Sequence, residues 1–168
     1  QKMQAVTRIL IVLLLALSGL PRPAIADLAV AMSAIRSQDF EAAFKAAGPA
    51  ESINHDIVEW HWLRAGRGDS KAVLAFLDRR PDWPGLPYLR RKSEGAFVAS
   101  AFSEVLRMFD AHEPQTADGV LAYVNALRAA GREGEADATL VLAWRTMPMG
   151  ATQQKAFLKV GGALLKPH

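Results

Sequence analysis

"GVLAYVNALRAAGREGEADATLVLAWRTMP", residues 119–148, reads as two helices laid back to back. In the first half Val120, Val124 and Leu127 recur at helical spacing, and in the second Leu140, Val141 and Trp144 do the same. Gly131 to Gly134 separates them with two glycines in four residues, a stretch suited to a tight turn rather than a helix interior. Pro148 then closes the unit, because proline lacks the N–H that another helical turn needs.

Working outward, the same alternation of apolar stripe and breaker covers the chain, and no period-two strand pattern occurs. Phe102, Val105, Leu106 and Phe109 form one stripe. Ile53, Ile57 and Trp60 lie on one face of another helix, and Val58, Trp62 and Ala65 on a second, so that helix needs neighbours on two sides. Breakers stand at Gly48-Pro49, Gly66 to Asp69, Pro81 to Pro87, Pro114 and Pro148 to Gly150. The second helix of each successive pair starts near Asp39, Asp69, Ser103 and Glu133, a period of about 30 to 34 residues. The expected fold is all-α: an α-solenoid of about four stacked antiparallel helix pairs, with a last helix from about Thr152 to Leu165. The pair at 119–148 comes closest to a tetratricopeptide repeat, with Ala136, Ala143 and Pro148 at that pattern's small-residue and closing-proline positions.

The stiffest stretch is "RRPDWPGLPYLRR", residues 79–91. Pro81 ends the helix Ser70 to Arg79 and biases Arg80 away from helical geometry. Pro87 has its φ preset for a first helical turn. The residues between them form a corner, with Trp83 expected as the peg that packs it onto the neighbouring pair.

The N-terminal 26 residues have the form of a secretory signal. Lys2 and Arg8 make a positive start, Ile9 to Leu17 is unbroken apolar sequence, and Ala24-Ile25-Ala26 is a small-x-small cleavage site. About ten apolar residues are too few for a membrane span, which takes about twenty. The expected mature chain, residues 27–168, is a single periplasmic domain without a stable membrane anchor. The absence of cysteine rules out a lipid on an N-terminal Cys.

The 168-residue chain has 20 Lys+Arg and 17 Asp+Glu. Three of the basic residues, Lys2, Arg8 and Arg22, and none of the acids lie in the signal, so the remainder carries seventeen of each sign. A balanced chain of this kind lacks the basic excess of a nucleic-acid binder.

Residues for catalysis or metal binding do not converge in the sequence. His55 and His61 are six apart, on different sides of a helix, and His112 stands alone. "GRGD" at 66–69 and "GREG" at 131–134 lack the strand-loop-helix setting of a phosphate loop. No cofactor, metal or catalytic residue is therefore assigned. The densest positive feature is Arg90-Arg91-Lys92, with Arg79 and Arg80 upstream and Asp78 and Glu94 as nearby acids. These three are the candidate contacts for an anionic polymer.

Three strings, "WLRAGRGDSKAVLAFLDRRPDWPGLPYLRRKSEGAF" (62–97), "HEPQTADGVLAYVNAL" (112–127) and "LAWRTMPMGATQQKAFLKVGGALL" (142–165), resemble the N-terminal superhelical, U-shaped region of soluble lytic murein transglycosylases, especially those of alphaproteobacteria. The resemblance implies a periplasmic enzyme that cleaves peptidoglycan between N-acetylmuramic acid and N-acetylglucosamine without water, leaving a 1,6-anhydromuramic product. It also implies that the superhelix supports a C-terminal lysozyme-like domain carrying one catalytic Glu. That domain's signature is Glu-Ser within a helix and a later Gly-Leu-Met-Gln segment. Here Glu51-Ser52 stands just after Gly48-Pro49 and no Gly-Leu-Met-Gln occurs, so Glu51 and Ser52 read as a helix start. The expectation is a superhelical module without its active site, with peptidoglycan as a partner through the parent enzyme. The alternative is a free-standing periplasmic helical scaffold that binds proteins.

Overall fold

The computed structural model describes residues 27–166, so the signal read at residues 1–26 lies outside it. Among the described residues the regular structure is entirely helical, as expected. The elements are α1 (Leu28–Arg36), α2 (Phe40–Ala47), α3 (Ile53–Arg64), α4 (Ser70–Arg79), α5 (Leu86–Ser93), α6 (Phe102–Phe109), α7 (Ala117–Ala129), α8 (Glu133–Thr146) and α9 (Ala151–Leu165). A 3-10 turn, Glu94–Phe97, prolongs α5. No helix of the described residues is long and apolar enough to cross a membrane.

Short polar side chains set the helix starts by accepting hydrogen bonds from otherwise unpaired N–H groups. Asp27 caps α1 through Ala29 N at 3.0 Å, Asp39 caps α2 through Ala42 N at 3.0 Å, and Asp69 caps α4 through Ala72 N at 2.8 Å. Ser52 caps α3 through His55 N at 3.2 Å, which makes Glu51-Ser52 the helix start read from the sequence. Gly131 turns the chain between α7 and α8 with φ 74°, a left-handed value that glycine adopts without steric cost. One departure lies in α9, where Gly162 (φ 14°, ψ −94°) interrupts helical geometry.

Two apolar clusters hold the helices together. The smaller joins α1, α2 and α3 through Ala31, Ala43, Ala47 and Val58, with the small alanine side chains letting the backbones approach closely. The larger runs from Leu63 to Leu165 and fully buries Phe76, Leu89, Phe97, Leu127, Leu140 and Phe157. Helix α1 packs along α2, and α7 along α8. Between these pairs α3 packs on α1, α2 and α5, α4 on α3 and α6, and α6 on α7; α9 lies against α8 and α7.

Two acids are fully buried in this apolar setting, which is tolerable only where donors replace water. Asp56 of α3 has no exposed surface. Its Oδ1 accepts from Arg79 Nε (3.0 Å) and Nη2 (2.9 Å), and its Oδ2 accepts from Arg80 Nε (2.7 Å) and Nη2. Burial works against the Arg79 charge, but the bonds to Asp56 and Glu59 and their negative charges outweigh it and hold its pKa above the ordinary value. Glu94, 1% exposed, accepts from the backbone N–H groups of Gln115 (2.7 Å) and Thr116 (2.8 Å) and from the Thr116 hydroxyl (2.5 Å). Burial pushes the Glu94 carboxyl above its usual range, against the opposing pull of these donors and of Arg91.

Replacing Asp56 by Ala is expected to cost about 3 kcal/mol, the lower end for breaking a buried ion pair, because both arginines keep some access to water. Urea unfolding measures it, and a loss below about 1 kcal/mol would mean the pair contributes little. A Cβ on Gly119 would overlap the Glu94 carboxylate. Gly119→Ala is therefore expected to destabilise by about 2 kcal/mol, although alanine raises helix propensity. A stabilised variant would show that Glu94 has room to move.

Candidate functional site

The proline corner sets the direction of α5. Helix α4 ends at Arg79, and Arg80 adopts an extended φ of −132° before Pro81. Gly85 then opens α5 with φ 71°, and Pro87 occupies its first turn, as its preset geometry favours. Trp83 packs against the main apolar core, although it is not fully buried. It is half-buried, edge-on to Phe76 of the helix it has just left (5.9 Å between rings), with Arg80 over its ring at 5.4 Å. Trp60 of α3 ties the corner to the neighbouring helix, donating from its indole Nε1 to the Pro84 carbonyl at 3.0 Å.

The five cations of residues 79–92 do not share one surface. Arg79 and Arg80 are bound to Asp56 and leave the patch. Neither acid expected beside the basic run pairs with it: Asp78 is joined to Arg107, and Glu94 is occupied by Gln115 and Thr116. Among the described residues no ion pair involves Arg90, Arg91 or Lys92.

At about 100° per residue these three cations fan out around α5. Arg90 is half-buried, with Nη1 3.9 Å from Met108 Sδ, in a groove of about 370 Å³ that Pro81, Leu86, Pro87, His112, Glu113 and Gln115 also line. Burial draws the Arg90 pKa below its ordinary value. His112 is also lowered, by burial and by the Arg90 charge. Arg91 and Lys92 are exposed, and the Lys92 ammonium lies 5.7 Å from the Tyr88 ring.

This arrangement offers anions charge-assisted hydrogen bonds, with the Arg90 donor partly stripped of water and so the strongest of the three. Glu51 sits exposed at a turn with φ 69°. His55 lies tilted against Phe44, 4.9 Å between ring centroids, and His61 lies 4.8 Å from Trp60. The sequence reading missed the Arg64 guanidinium, 4.2 Å from the Trp60 ring and 4.8 Å from that of Tyr88. Its signal was present, since Trp60 and Arg64 are four residues apart on one helix, as are Tyr88 and Lys92.

No family model matches the sequence, and no curated protein and no solved structure matches it either.

Burial, reinforced by the Arg64 charge, lowers the His61 pKa. The folded protein therefore favours neutral His61, and as pH falls through about 6.5 the unfolded chain takes up the proton first. Stability contributed by this group is present above that pH and is lost on acidification. Between about pH 7.5 and pH 5 the melting temperature of the wild type is expected to fall further than that of His61→Gln. Parallel pH profiles for the two proteins would contradict the assignment.

Proposed function

We propose that this chain is a superhelical module of a periplasmic peptidoglycan lytic transglycosylase, a helical support that touches the anionic wall polymer rather than cutting it. The single observation that carries this reading is the helix α5, set off by a rigid corner and carrying Arg90, Arg91 and Lys92 without an acidic partner among the described residues. The stem peptides and glycans of a cell wall offer carboxylates along their length, the chemistry such cations recognise.

The order of helix contacts favours a superhelical stack. The first helix of one pair packs on the first helix of the next: α3 on α1, α5 on α3, the 3-10 extension of α5 on α7, and α9 on α7. Stacks of this kind present extended surfaces. The three strings quoted above, 62–97, 112–127 and 142–165, supply the link to the transglycosylases. Export to the periplasm belongs to the same proposal and rests on the signal-like residues 1–26.

A second reading, a free-standing scaffold for a protein partner, draws on Val98 and Phe102, exposed by 59% and 52% where the chain leaves the 3-10 turn.

Co-sedimentation with purified sacculi tests the first reading. Wild type is expected to pellet at low salt and to be released by added salt, since screening acts over about 8 Å at physiological ionic strength. Arg90→Gln/Arg91→Glu is expected to stay in the supernatant at low salt while melting close to wild type. Equal pelleting of both proteins would leave α5 as an ordinary solvated face.

A further inference from the structure

Of the three cations on α5, Arg90 lines a cavity. The groove lies between the proline corner and the segment joining α6 to α7, and its volume of about 370 Å³ is that of a small-ligand site. Arg90 has no counter-charge there. Among the described residues it forms no ion pair, and Nη1 meets only Met108 Sδ at 3.9 Å, a weak acceptor. Nε and Nη2 make no hydrogen bond and are not among the buried atoms left without one, so both donors stay open to solvent. Burial draws the Arg90 pKa down with no acid acting against it, although Glu113 lines the same groove. A cation partly stripped of water and left without an anion is in an unfavourable state that a bound anion relieves.

The rest of the lining says which anion. Buried Leu86 and the exposed rings of Pro81 and Pro87 give the groove an apolar wall. Proline side chains lose almost no freedom when something packs on them. Gln115 is fixed by its Nε2, which donates to the Pro87 carbonyl at 3.1 Å and leaves Oε1 as the acceptor this side chain can offer a ligand. Glu113 disfavours a second negative charge on the ligand, and Arg90 with His112 disfavours an ammonium. A single negative charge, an aliphatic body and an uncharged N–H together describe the last residue of a peptide.

We propose that this groove binds the C-terminal residue of a peptide, with the carboxylate on Arg90, the aliphatic side chain on the wall of Pro81, Leu86 and Pro87, and the N–H on Gln115 Oε1. The guanidinium offers the carboxylate a bidentate fork. The site takes Arg90 from the wall-contact reading and rests on it in that respect, narrowing the carboxylates it recognises to chain ends. Arg91 and Lys92, exposed on the same helix, are not part of it.

The test adds N-acetyl-alanyl-alanine to the full chain, with its C-terminal amide, free alanine and inorganic phosphate as comparisons. Calorimetry measures affinity, and the His112 ring resonances report by NMR whether the groove is the place filled. The acid is expected to bind saturably and to shift His112, and the amide to do neither. Free alanine and phosphate, each bringing a like charge into the groove, are expected to bind about tenfold more weakly or worse. Arg90→Lys, which keeps the charge but loses the fork, is expected to weaken the acid about tenfold, and Arg91→Gln to leave it unchanged. The proposal is overturned if the acid shows no saturable binding or leaves His112 unmoved. It is equally overturned if the amide, free alanine or phosphate binds as tightly, if Arg90→Lys binds like wild type, or if Arg91→Gln loses as much as Arg90→Lys. Should Arg90→Lys fail to fold, the amide comparison and the His112 signal still decide. Salt-dependent pelleting on sacculi without peptide binding removes the groove and leaves the polymer contact, and peptide binding without pelleting does the reverse.

Discussion

The rest of the structure depends on one buried carboxylate. Asp56 sits in the interior with an arginine fork on each oxygen, and those forks come from the last residue of α4 and the first residue after it. A charge placed there without donors would be driven out or neutralised. With four N–H groups directed at it, the carboxylate fixes where α4 stops and from what point the proline corner departs. The pair also removes two cations from a stretch that would otherwise crowd five into fourteen residues, so the charge left on α5 belongs to Arg90, Arg91 and Lys92.

Glu94 performs the corresponding task at the far end. An eight-residue helix is marginal in water, because nucleation is costly and few hydrogen bonds follow it. Helix α5 persists because its approach is anchored through Asp56 and its exit through Glu94, whose carboxylate grips Gln115 and Thr116 as α7 begins. The close passage of Gly119 under that carboxylate shows why α7 has no side chain at this point. The candidate cations are thus displayed on a helix held at both ends, which limits the ordering cost of a contact.

What the sequence disclosed follows the range of each interaction. The all-helical class, the starts at Asp39, Asp69 and Ser52 and the stop at Arg79 were legible because caps, prolines and apolar spacing act within a turn or two. The break at Gly162 was not, since a glycine near a helix end is free to continue the helix or to leave it and its spacing does not say which. The basic run was overcounted for a related reason. Arg79 and Arg80 look like Arg90 and Arg91 in sequence, and only Asp56, more than twenty residues away, turns them inward. The second tie of the corner was not legible, because Trp60 reaches Pro84 across 24 residues whereas Trp83 is conspicuous between prolines.

These long-range contacts share a register. Asp56, Trp60 and Arg64 lie four residues apart, on one stripe of α3. Their partners are Arg79 with Arg80, then Pro84, then Tyr88, which advance by about the same step in the same direction. Helix α3 therefore acts as a rail along which the corner and the first turn of α5 are laid, using an ion pair, an indole hydrogen bond and a stacked guanidinium in succession. A stripe of acid, aromatic and base has no hydrophobic periodicity, so a search for apolar faces passes over it. The ion pair and the indole bond each have matched donors and acceptors and are complete within the chain. The guanidinium that ends the rail is held against the Trp60 and Tyr88 rings instead, with its buried Nε left without a hydrogen-bond partner, so the register is completed there by aromatic contact rather than by a matched acceptor.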